Sequence, residues 1–254
     1  MYIMTLAASN IVYVTMSGTI GISNLGSSGQ SWKLGVEACT AQNYNYYAIS
    51  GVAVHLHLLV SLSRAWALFR PISYRNHHTI RVAIAFCVGA VLYVHILVLP
   101  GFILDAVYYR VPVENGCWID ASRQTVWMTF VTVVVYDLPK LFIPVCYPVL
   151  LWKTLQRRKI AASLRGTRLD AAQQLSVPSK ARERADKENA AFRPFVLLTL
   201  FTVGVVVCWM PPMVAYILGN FIISWREMVQ FEDVVSVLYS LQAILDLIFF
   251  CLST

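Results

Sequence analysis

Six long stretches almost free of charge decide what this chain can fold into. They run over residues 2–21, 40–63, 82–104, 125–152, 194–223 and 234–252, and inside them only Asp137, Lys140 and Asp246 are charged at neutral pH. A bilayer's hydrocarbon core, about 30 Å thick, is crossed by about 20 apolar residues of helix. Blocks of this length are not the mark of a soluble core. Composition agrees: 58% of the 254 residues are hydrophobic and 13% charged, against about 25% charged in a soluble domain. The mean hydropathy is +0.62. An ordinary soluble enzyme is excluded, and so is a disordered chain, which needs low hydrophobicity and high charge. No basic region with a cleavage site precedes the first block, so no signal peptide is expected. No soluble domain, internal repeat or low-complexity tract interrupts the pattern. The expected fold is an all-α transmembrane bundle over residues 1–254, in a multi-pass plasma-membrane protein surrounded by lipid bilayer.

The polar connections give the expected orientation. Residues 64–81 hold four Lys or Arg and no acid, and residues 153–193 hold eleven against four acids. The other connections (residues 23–37, 105–123 and 226–233) hold four basic and seven acidic residues. Basic and acidic connections alternate, as successive spans require. By the positive-inside rule, 64–81 and 153–193 are expected in the cytoplasm. The net charge of +7 then points to anionic lipid and a cytoplasmic partner. No basic stripe interleaved with aromatics points to nucleic acid.

Cys87, Cys146, Cys208 and Cys251 lie inside apolar blocks and read as small buried hydrophobes. Cys39 and Cys117 fall on the expected outer side, where a disulfide can persist. Pairing them would tie one helix end to a loop between two others; two free thiols are the alternative.

At these residues a family resemblance emerges. Trp32-Lys33-Leu34-Gly35-Val36-Glu37-Ala38-Cys39 resembles the W-x-x-G-x-x-x-C run before the third helix of rhodopsin-like G-protein-coupled receptors. Twenty-five residues on, Ser63-Arg64-Ala65 sits where that family has Asp/Glu-Arg-Tyr, and Pro71 and Tyr74 follow at the family's spacing. Cys208-Trp209-Met210-Pro211 resembles the C-W-x-P motif of the sixth helix, and Pro144 the fifth-helix proline. Leu6-Ala7-Ala8-Ser9-Asn10 resembles the second-helix L-A-x-A-D, and the Asp246 block resembles the seventh helix. The resemblance implies a seven-helix receptor bundle represented by its second to seventh helices, a fragment without the first helix and the C-terminal tail. It also implies a Cys39–Cys117 disulfide, coupling of Arg64 to a heterotrimeric G protein, and an activation hinge at Trp209 and Pro211.

The chain departs from the family pattern at several of these positions. Ser63 and Ala65 replace the acid and the tyrosine beside the arginine, and Asn10 replaces the second-helix aspartate. Asp246-Leu247-Ile248-Phe249-Phe250 lacks the proline and tyrosine of N/D-P-x-x-Y. The internal sodium site implied by the family would keep Asn10 and Asp246, with one charge removed. Weak sodium dependence and raised basal activity are expected.

Asp137 and Lys140 are the most distinctive pair. An ionisable residue inside a span is costly and persists where it meets a cavity or a partner. At i and i+3 they share a helical face, so they can pair with each other or line a ligand pocket. The resemblance places Tyr46, Ser50 and Tyr216 on the pocket walls as well. Arg64 can equally be a snorkelling anchor. His55 and His57, two apart, face different directions on a helix, poor geometry for one metal. No zinc spacing, P-loop, nucleophile elbow or dinucleotide fingerprint occurs, so neither enzymatic activity nor a cofactor is expected.

Ligand class narrows by what is missing. Residues 234–254 hold no lysine for a retinal Schiff base, and residue 46, eighteen before Arg64, is tyrosine where amine receptors resembling this chain have aspartate. The expected function is a receptor transmitting an extracellular ligand, with a peptide favoured, to heterotrimeric G proteins. A six-span transporter or channel subunit, or a divergent non-signalling receptor, is the alternative.

Overall fold

A computed structural model describes residues 1–24, 32, 34–110, 117, 119, 123–143, 145–146, 148–150, 152–156, 203–204, 206–211, 214, 237–238 and 240–248. All regular structure among them is helical. Helix α1 is Tyr2–Asn24, α2 is Gly35–Phe69, α3 is the short Pro71–His77, α4 is Ile80–Tyr109 and α5 is Thr125–Gln156. Residues 206–211 (α6) and 240–248 (α7) are also helical. The helix starts follow local chemistry. Gly35 opens α2 at φ 81°, a left-handed conformation that a residue with a Cβ avoids. Pro71 opens α3, where its missing N–H is one the helix leaves unpaired anyway. The Thr79 side chain accepts from the Val82 N–H at the start of α4.

Helix α2 is the axis of the bundle. It packs against α1, α4 and α5, and seven consecutive residues, Gly51 to His57, are buried. A helix buried on all faces must be apolar on all faces or must satisfy its polar groups internally. Polar side chains therefore bond across helices. Asn45 Nδ2 donates to the Tyr13 carbonyl at 3.1 Å and to Ser17 Oγ at 2.8 Å, tying α2 to α1. Tyr44 Oη lies 2.7 Å from His95 Nε2 of α4.

The outside is apolar. Helices α2, α4 and α5 are each long and apolar enough to cross a membrane, yet only 28% of the most apolar stretch of α4 is buried. Ile96 is 68% exposed, and Leu92 and Ile103 are more than half exposed. Such a surface needs lipid.

Two π turns, Asn45–Ile49 and Thr132–Asp137, interrupt α2 and α5, and a third, Asp105–Tyr109, closes α4. Each adds a residue to a turn and re-aims the side chains that follow. Close approach is set by two glycines. A Cβ at Gly51 would meet Val94 and Val135 side chains at 3.0 Å, and one at Gly101 would overlap the Trp127 ring. The same indole donates through Nε1 to the Leu97 carbonyl at 3.1 Å, beside Pro100, which breaks the α4 ladder. Of the expected spans 194–223 and 234–252, residues 203–204, 206–211 and 214, and residues 237–238 and 240–248, are described and helical; the rest of both spans and most of 153–193 lie outside the described residues.

The packing predicts that Gly101→Val costs about 1–3 kcal/mol by forcing the indole away. Thermal unfolding of the purified chain checks this: the midpoint should fall by roughly 2–4 °C per kcal/mol. Gly18→Val, in open space, should leave it nearly unchanged.

Candidate ligand and transduction site

One end of the bundle is fastened covalently. A disulfide joins Cys39, at the start of α2, to Cys117, closing a loop with a sequence separation of 78. The Asn43 amide, one turn on, points at both sulfurs. Beside it lies an ion pair that the sequence alone does not announce. Asp105 is fully buried and its Oδ2 accepts from Arg110 Nε and Nη2, each at 3.1 Å. Arg110 Nη1 also donates to Thr40 Oγ1 of α2. Asp105 stands in the sequence as the first residue of a polar connection, whereas the chain stays helical through Tyr109 and folds Arg110 back onto it. The only signal was an acid and a base five residues apart.

The tyrosines gather next. The rings of Tyr46 and Tyr47 meet edge-on, centroids 5.2 Å apart, and the Tyr136 hydroxyl of α5 donates to the Tyr47 carbonyl. Lys140, buried, holds its ammonium 5.3 Å from the Tyr136 ring centroid, a cation–π arrangement. Asp137 is half-buried, on the turn before Lys140. Ser50 is half-buried too, but its hydroxyl donates back to the Tyr46 carbonyl across the π turn. So Tyr136 of α5, with Lys140 over its ring, meets α2 at the Tyr47 carbonyl, while Tyr46 adjoins Tyr47 and Ser50 bonds within its own helix. Tyr216 lies outside the described residues.

Deeper in, four polar side chains meet. Asp246 of α7 accepts from Asn10 Nδ2 at 2.7 Å and from His57 Nε2 at 2.8 Å on Oδ2, and from Gln242 Nε2 at 2.6 Å on Oδ1. All four residues are buried. The imidazole packs edge-on to Trp209, ring centroids 4.8 Å apart. Trp209 is buried while Pro211, two residues on, is exposed. Sequence reasoning singles out Asn10, Asp246 and Trp209 but misses His57 and Gln242. A histidine inside an uncharged block was the available signal for His57.

A sodium ion at Asn10 and Asp246 does not fit this arrangement. Both carboxylate oxygens already receive N–H donors, and Asn10 presents its nitrogen rather than its oxygen. No step is therefore routed through sodium.

At the opposite end of α2, Arg64 is exposed and forms no ion pair among the described residues. The neighbouring Ser63 hydroxyl donates to the Val60 carbonyl at 2.9 Å. Trp66, Tyr74 and His78 cluster below it. Tyr74 stacks on His78 at 4.4 Å and Trp66 meets Tyr74 edge-on at 5.6 Å.

The family described as "7 transmembrane receptor (rhodopsin family)" matches residues 1–252. A muscarinic acetylcholine receptor, gar-3 of Caenorhabditis elegans, is 26% identical over 162 residues, covering 62% of this chain and 26% of that relative. The chain thus spans about a quarter of that curated relative's length.

Replacing Cys117 by Ser opens the covalent loop and is expected to lower stability by up to about 4 kcal/mol on the chain-entropy estimate for a loop of this length. Unfolding midpoints with and without reductant check it. Reductant should lower the parent's midpoint and leave Cys117→Ser unmoved.

Proposed function

This chain belongs to the rhodopsin family of seven-transmembrane receptors, and from that premise we propose that it transmits the binding of an extracellular peptide to heterotrimeric G proteins. The observation that carries the reading is that one buried helix bears both stations. Tyr46 and Ser50 sit toward the disulfide end of α2 and Arg64 at the other. Eighteen residues separate Tyr46 from Arg64, about 27 Å of helix. Between them His57 touches Trp209, the hinge residue. A shift of the indole bears directly on α2 and on the α7 carboxylate.

The ligand reading rests on the charges around the tyrosines. Lys140 and Asp137 offer opposite signs on α5, beside Tyr136, whose hydroxyl reaches the Tyr47 carbonyl of α2. A peptide carries both signs as well, and a desolvated charge is accommodated where it finds a partner. The name of the nematode relative says acetylcholine. We do not carry that ligand over, because α2 presents Tyr46 at the position where the resemblance to amine receptors requires a carboxylate. At the other end, Arg64 is open to a partner and Ser63 cannot hold it in a local ion pair. In this reading the G-protein α subunit's terminal helix enters a groove at that end, with Arg64 at its floor.

A peptide-library screen on the full-length chain, read as ligand-stimulated nucleotide exchange, tests the reading. Peptides with an acidic group should stimulate exchange. Lys140→Met should raise the half-maximal concentration at least about tenfold, the equivalent of about 1.4 kcal/mol. Arg64→Ala should retain ligand binding and lose stimulated exchange. Stimulation by small amines and not by peptides would overturn the ligand assignment. Ligand binding with no exchange in the parent would favour the non-signalling reading that Ser63 and Ala65 leave in view.

A further inference from the structure

The family frame puts a metal ion beside the carboxylate of the last helix, and in this chain the donors around Asp246 leave that role to a side chain. We infer that His57 replaces the ion: its imidazole N–H is the built-in counterpart of the Asp246 carboxylate and fastens the middle of α2 to α7 beneath Trp209. Three observations carry this. The carboxylate is buried, so it needs compensation from within. Its donors come from three helices: Asn10 of α1, His57 of α2 and Gln242 of α7. Of these, His57 Nε2 is the only donor from the central helix, 2.8 Å from Oδ2 with both side chains at most 2% exposed. A carboxylate only accepts, so Nε2 carries the hydrogen whichever way the other ring nitrogen stands.

The placement gives the contact a consequence. The Trp209 indole lies edge-on against the same imidazole. Turning that indole cannot leave the His57–Asp246 bond untouched. An ion at this position would leave when the helices part and return from the water. A side chain on α2 cannot leave, so the fastening is independent of the salt outside. His57 is in this sense a positioning residue: it acts through Asp246 and touches no ligand. The inference rests on the receptor reading only for its bearing on signalling; the measurement below uses neither ligand nor G protein, so either can fail without the other.

The full chain in nanodiscs is melted in sodium chloride and in choline chloride at equal ionic strength. Unfolding is followed with a thiol-reactive dye that reports the buried Cys87 and Cys208. The parent is expected to melt at the same temperature in both salts. His57→Ala should melt several degrees lower in choline and recover part of that loss in sodium, because the carboxylate now accepts an ion. His57→Ala and Asp246→Asn combined should cost clearly less than the sum of the two, since each removes the same bond. Sodium protection of the parent would overturn the inference, as would a salt-insensitive His57→Ala or additive losses. If His57→Ala does not accumulate, His57→Asn takes its place with the same readings: it stays polar but is too short to reach Asp246.

Discussion

Nothing inside a bilayer's hydrocarbon core hydrogen-bonds to a protein, so each backbone and side-chain polar group there must find its partner within the chain. That constraint explains more of this molecule than any single contact. It makes the spanning segments helical, it turns their outer faces apolar, and it sends interior polar side chains either back to their own backbone, as Ser61 does, or across to a neighbouring helix. Asn45 reaches α1, Tyr44 reaches α4, Tyr136 reaches α2 and Asp246 collects donors from α1, α2 and α7. Without a hydrophobic drive between helices in lipid, such bonds and close packing at small residues set which helix lies against which. Gly51 lets α2 approach Val94 and Val135, and the polar bonds fix the register around that approach.

The same bonds connect the stations of a receptor. The disulfide and the Asp105–Arg110–Thr40 bridge hold one end of α2 in place. Tyr136, with Lys140 over its ring, joins α5 to α2 at the Tyr47 carbonyl. His57 and Trp209 meet halfway along, and Arg64 is exposed at the far end. In the proposed reading, α2 carries Tyr46 and Ser50, meets Trp209 through His57 and ends at Arg64, so one helix would join the ligand side to the coupling side.

Much of this was legible in the sequence, for a physical reason. Blocks of 20 or more uncharged residues have one stable use, and motif spacing along them places Cys39, Arg64 and Trp209 without three-dimensional knowledge. The interior partners were not legible. His57 sits two residues from His55, and spacing shows only that the two face apart. It does not show that one of them meets an aspartate 189 positions away. The burial of Asp105 escaped for the converse reason: an acid after an apolar block reads as the beginning of solvent, and only the folding back of Arg110 makes its burial tolerable. Ser50 shows a third limit. A hydroxyl beside a π turn bonds to its own backbone, and a one-dimensional pattern carries no sign of the extra residue in that turn.

The central claim is that α2 passes once through the membrane between the disulfide end and the arginine end. At 35 residues it is about 52 Å long, more than the roughly 40–45 Å of a bilayer with its headgroups, long enough for its ends to emerge on opposite sides. Labelling with a membrane-impermeant maleimide measures this directly. Cysteines placed singly at Glu37 and Arg70 in the full chain are exposed to the reagent on intact cells and again after permeabilisation. The account predicts that Glu37→Cys is labelled on intact cells and Arg70→Cys only after permeabilisation. Labelling of both, or of Arg70→Cys alone, on intact cells would contradict it.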